Sequence, residues 1–142
     1  MVSLSYKLLS WTWCLPQTLC GFCWSHAVKG LLDCQAEEMG SWRGVHVIRY
    51  NRLRGGVSLG PYLFYQAVSG SHHLLRHEYG HYRQSLLLGP LYLPLIGFPS
   101  ICWAAMKKAG LFPALPYHLF PTERWAERLA QQPPPCRLEL EN

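Results

Sequence analysis

From Leu8 to Val28 the chain carries no Lys, Arg, Asp or Glu, a span long enough to cross a bilayer. Pro16, Gly21 and several hydroxyl and amide side chains dilute it. The run fits a helix lying at an interface, with its tryptophans at headgroup depth, or a core helix beginning near Pro16. Residues 29–44 turn polar and read as a helix end followed by a loop. Val45 to Tyr50 is β-branched and aromatic and predicts a strand, and Asn51 to Gly56 supplies a turn. Val57 to Tyr65 predicts a second strand, in which Pro61 marks an edge or a break.

Ser71 is a candidate N-cap for a helix from about His72 to Leu88, which Gly89-Pro90 terminates. Its leucines would bury it in the domain. Gln84 to Met106 is again uncharged, but Pro90, Pro94 and Pro99 break it too often for one straight lipid-facing helix. The pattern predicts a bend, then a helix from about Pro99 to Ala109 with Lys107 and Lys108 at its end. A proline-rich loop leads to Thr122, the expected cap of a short helix from Glu123 to Gln131. Pro133-Pro134-Pro135 ends the folded part. These elements predict an α+β domain, mostly helical, over residues 1–132, with a small antiparallel sheet or hairpin beside helix 72–88 and a flexible tail over 133–142.

A chain of 142 residues suits one core. Only 15 % of it is charged, against roughly 25 % in ordinary soluble domains, which makes a membrane surface a candidate contact. The net charge of +5 comes from scattered basic residues, so no nucleic-acid partner is expected. The N-terminus lacks a clear small-residue cleavage site; the setting that fits is bacterial, at the inner membrane or in the cytoplasm.

The chemistry concentrates at His77-Glu78-Tyr79-Gly80-His81. On a helix, side chains four apart lie almost above one another, so both imidazoles can reach one cation. Glu78 lies about 100° round the helix from His77, able to touch a water on that cation without ligating it. A catalytic zinc usually takes a third protein ligand and leaves one position open. His118, Glu123 and Glu127 are the downstream candidates. Three of the eight carboxylates fall in these two segments.

H-E-x-x-H followed by Glu123-x-x-Ala126-Glu127 resembles the gluzincin metallopeptidases, closest in style to their small single-domain and membrane-associated members. The run from His77 to Ser100 is also similar to bacterial proteins of this type. The resemblance covers mainly residues 71–88 and 117–130. It implies a zincin-like fold, Zn2+ held by His77, His81 and Glu123, a peptide or protein substrate, and Glu78 as general base. It further implies Glu127 as the acid that orients a metal-bound histidine. The family commonly has aspartate there, so this chain departs by one methylene. Tyr117 and His118 are the nearest groups in sequence to stabilise an oxyanion, with Tyr79 and Tyr82 as alternatives. Gly80 allows a close approach of neighbouring backbone, or is simply a packing glycine.

Rival readings remain open: a catalytically inactive metal-binding or membrane-associated scaffold, hydrolysis of a non-peptide amide or ester, and a redox or zinc module at Cys20-x-x-Cys23. The cysteines lie among Trp, Leu and Phe and read as buried thiols, and His26, His46, His72 and His73 as solvated or core histidines.

Overall fold

The computed structural model describes residues 4–30, 37–50, 55–66 and 71–132. The tail expected over 133–142, most of the turn at 51–56, Cys34 and Cys136 lie outside the described residues. The architecture is α+β. Helices α1 (Leu4–Trp11) and α2 (Leu15–Gly30) precede strands β1 (Glu37–Trp42), β2 (Val45–Tyr50), β3 (Gly56–Leu59) and β4 (Tyr62–Gln66). Helices α3 (Ser71–Leu88), α4 (Phe98–Lys108) and α5 (Pro121–Gln131) follow.

The sheet order is β1-β2-β4-β3. Two of its pairings are antiparallel, but β2 runs parallel to β4, with Val47 beside Leu63 and Ile48 beside Phe64. The sheet is therefore mixed, not the antiparallel sheet or hairpin expected. The reason lies at Pro61: the apolar run 57–65 is broken there into two strands joined at Gly60-Pro61, and β4 returns inside β3 to pair with β2. Gly60, at φ +59°, takes the turn conformation that side chains disfavour. Residues 37–42, expected to be loop, form an edge strand with an irregular register at Gly40; their polar composition concealed it.

Alternation along the strands divides the core. Val45, Val47, Leu63 and Tyr65 face α3, where Leu75, Tyr79 and Tyr82 complete the larger cluster. Ile48, Tyr50 and Phe64 fill the opposite face with Val57, Leu59 and Tyr62. The run 8–28 resolves into two helices with a buried polar seam toward the end of α3. Ser10 and Tyr82 hydroxyls lie 3.0 Å apart, Cys14 Sγ donates to the Ser85 carbonyl and Gln17 Nε2 to that of Gly89. After α3 the prolines produce a 3₁₀ turn at Gly89–Leu91 and a π turn at Leu93–Gly97, which leads into α4.

Helix α5 follows from its pattern: Glu123, Ala126, Leu129 and Ala130 form its buried face. Pro121 occupies its first turn, and Phe120, whose backbone is extended, precedes it without a side-chain cap. Thr122, expected to cap, instead sits within the helix and bonds Ser100 Oγ at 2.8 Å, tying α5 to α4. Arg83 of α3 donates to the Leu129 carbonyl at 2.8 Å, satisfying the far end of α5. Among the described residues, no helix is long and apolar enough to cross a membrane.

Candidate metal centre

Helices α3 and α5 pack so that residues some forty positions apart share one buried point. His77 and His81 project from one face of α3, and Glu123 enters from the first turn of α5. Glu123 is 1 % exposed. Its Oε2 lies 3.0 Å from His77 Nε2 and 3.4 Å from His81 Nε2. Among the described residues, this is the group of histidine, cysteine and acidic side chains that could hold a metal ion, with donor atoms within 4.8 Å of one another.

The ring nitrogens facing away are held as well. His77 Nδ1 lies 3.3 Å from Glu127 Oε2, and His81 Nδ1 lies 2.7 Å from Gln84 Oε1. The Gln84 amide is itself fixed, because its Nε2 donates to the Thr122 carbonyl at 2.9 Å. In the metal-free protein the Nε2 atoms donate to the Glu123 carboxylate. With each Nδ1–H held by its own acceptor, loss of the Nε2 protons would leave two lone pairs aimed at the point where an ion would sit. Two imidazoles and a carboxylate are donors that zinc accepts. Two of their separations, 3.0 and 3.4 Å, are close to the roughly 3.3 Å between ligands held at about 2.0–2.1 Å in tetrahedral array, the third lying within 4.8 Å.

Without an ion, burial would lower the basicity of His77, but the carboxylates of Glu123, Glu78 and Glu127 outweigh it and hold the imidazolium up to about 9. Burial pushes Glu123 toward protonation; the hydrogen-bonded imidazoles of His77 and His81 overcome this and hold its carboxyl well below the usual range. Glu127 is also held low, the hydrogen bond from His77 prevailing over its partial burial. Glu78 differs. Burial raises it, and the nearby imidazoles only partly offset that. Its carboxylate abuts Gly56 of β3, where a Cβ would come within 2.6 Å of Oε1.

A cavity of about 530 Å³ opens beside the cluster, with Glu78, His77, His81 and Glu123 on one wall and β3 on another. Leu74, Leu93, Phe98 and Ile101 make much of the remainder apolar. Tyr117 lines it too, its hydroxyl facing Glu123; burial and the Glu123 and Glu78 carboxylates keep that phenol from ionising. Trp103 Nε1 donates to the Tyr117 carbonyl at 3.1 Å, which fixes this turn against α4.

Other expected residues are elsewhere. His118 is exposed and is not on the cavity wall, because the 3₁₀ turn at Tyr117–Leu119 sends consecutive side chains in different directions. Tyr79 and Tyr82 are buried against the sheet on another side of α3, since two and five positions from His77 fall off the ligand face. Cys20 and Cys23 are exposed rather than buried, while Cys14 is buried. His26, His46, His72 and His73 are exposed. Two contributors carry no motif. Gln84 lies three residues after His81 on the same helical face, a spacing that could have drawn attention to it. Tyr92, 4 % exposed, reaches the cavity from the proline-broken run and bonds the Ser58 carbonyl at 3.4 Å.

No family model matches the chain, and comparisons with curated proteins and with solved structures give no match.

Proposed function

We propose that this protein is a small zinc-dependent peptidase of gluzincin type, with His77, His81 and Glu123 as metal ligands and Glu78 as general base. The observation that carries the reading is the buried Glu123 oxygen set between two Nε2 atoms whose opposite nitrogens are already engaged. Bound zinc supplies Lewis acidity and can bring the pKa of a water to about 7.

The chain's own groups do the remaining work. Glu123 offsets one unit of cationic charge, and Glu127 and Gln84 hold the imidazoles in their ligating orientation. Glu78 takes a proton from the attacking water and returns it to the leaving amine. Burial raises its affinity for protons, the direction that a group which must hold a proton between the two transfers requires. Tyr117 offers a hydroxyl to the developing oxyanion. Strand β3 ends the sheet and lines the cavity, so an extended peptide can pair along it and lie past Glu78. The apolar wall favours an apolar side chain beside the scissile bond.

Elemental analysis combined with hydrolysis of casein, an unstructured protein, tests the reading. Wild type and Glu78→Gln should each hold zinc, and the variant should lose turnover by about 10²–10⁴-fold. Zinc without hydrolysis by either protein would leave only a metal-binding scaffold. Absence of zinc after loading would remove the reading altogether.

A further inference from the structure

Every large apolar side chain that is exposed among the described residues falls in one of two stretches, Leu8 to Trp24 and Leu87 to Leu119. Neither stretch contains an Asp or Glu; residues 4–30 and 84–122 are wholly free of them. The fold joins the two. Cys14 and Gln17 of the first bond the Ser85 and Gly89 carbonyls of the second, and the Trp13 ring lies against Gly89. Beyond that junction Leu91, Leu95, Phe98 and Ile101 recur at nearly helical spacing and are all exposed. Trp11, Trp13 and Trp24 are exposed on the other part. Lys107 and Lys108 end α4; Lys108 is exposed, while the Lys107 ammonium donates to the Phe112 and Leu115 carbonyls.

We infer that this belt is a docking surface for a bilayer carrying anionic headgroups, and that the cavity opens within it. Exposed indoles and aliphatic side chains, free of any acid and with the exposed Lys108 in the same stretch, match the headgroup boundary of such a membrane. A second copy of this chain fits less well, because its belt would bring a second Lys108 and no carboxylate to meet it. Phe98 and Ile101 are 69 % and 63 % exposed and also line the cavity, so they belong to the belt and to the mouth at once. The docking surface is independent of the metal reading. Only its consequence, that the peptide is presented at the membrane surface, rests on that reading.

Sedimentation of the full-length protein with vesicles, in the presence of a chelator, isolates the surface from the metal. The protein should pellet with phosphatidylcholine vesicles containing phosphatidylserine, and less with phosphatidylcholine alone. The double substitution Leu91→Ser with Leu95→Ser, at exposed sites off the cavity, should weaken binding roughly tenfold or more. Lys108→Glu should weaken it about fivefold or more, and Arg128→Glu, on the exposed side of α5, much less. The proposal is overturned if wild type stays in the supernatant with both vesicles, or if the serine substitutions change nothing. It is equally overturned if Arg128→Glu matches Lys108→Glu, which would mean diffuse charge attraction. A wild-type dimer in light scattering that the serine substitutions dissolve would assign the belt to a second copy instead.

Discussion

Gly80 of α3 meets the backbone of Ala126 of α5 so closely that a Cβ on Gly80 would overlap the Ala126 carbonyl oxygen and approach its carbon to 2.7 Å. Gly80 lies between His77 and His81 along α3, and Ala126 between Glu123 and Glu127 along α5. Helix separation there sets whether Glu123 reaches both imidazoles.

Gly80→Ala should therefore push α5 away and cost about 1–3 kcal/mol of stability from overpacking. It should weaken zinc binding as well, because the Glu123 carboxylate retreats with its helix. Gly97→Ala is the matched control: its Cβ would meet nothing nearer than 3.5 Å and its φ is helical, so stability should hold or rise slightly. Thermal unfolding with and without zinc distinguishes the two. Equal behaviour of the variants would contradict the role assigned to Gly80.

Gln84 should act as a positioning residue for His81. Gln84→Leu deprives a buried imidazole N–H of its acceptor and frees the ring to rotate, so zinc affinity should fall about 10–100-fold. Chelator competition measures this directly. Gln84→Glu keeps an acceptor at Nδ1 and should restore much of the loss, an outcome that simple loss of packing would not give.

The pH dependence has a definite sign. His77 has a folded-state pKa raised to about 9 from 6.5 in the metal-free protein, so its proton contributes stability that is fully present below 6.5 and is lost as pH rises through 9. Glu123 is depressed, so its contribution is present above its ordinary value of 4.5 and is lost as pH falls toward its lower folded value. A metal ion must displace the His77 proton. Zinc affinity should accordingly rise about tenfold per pH unit between roughly pH 7 and 9, with a proton released on binding. Metal-free stability should decline over that same interval. Calorimetry in buffers of different ionisation enthalpy would expose a missing proton release.

How far the chain announced this arrangement depends on whether a feature is local. His77, Glu78 and His81 are fixed by helical spacing, and the apolar face of α5 by the same periodicity, so both were legible. The convergence of Glu123 on the α3 histidines is a tertiary event, visible in the sequence only through resemblance to a known pattern. The parallel pairing of β2 with β4 was not legible, because a proline inside an apolar run marks a break without saying where the chain returns. His118 and Tyr117 show the limit most clearly. They are adjacent, yet one faces the cavity and the other solvent, a difference set by the turn geometry that Trp103 holds in place.

Tyr117 and Tyr92 both bring hydroxyls to the neighbourhood of Glu78 and Glu123, but only Tyr92 is tied to the sheet. Tyr92 is buried and its hydroxyl bonds the Ser58 carbonyl of β3, whereas Tyr117 is 41 % exposed and its hydroxyl faces Glu123 across the cavity. A donor to an oxyanion acts mainly in the transition state, so Tyr117→Phe should lower kcat about 10²–10³-fold with little change in KM. Tyr92→Phe should instead cost about 0.5–1.5 kcal/mol of stability, with a smaller effect on kcat. Steady-state kinetics beside denaturant unfolding reads both. If Tyr92→Phe carried the larger kcat defect and left stability intact, the oxyanion role would pass from Tyr117 to Tyr92.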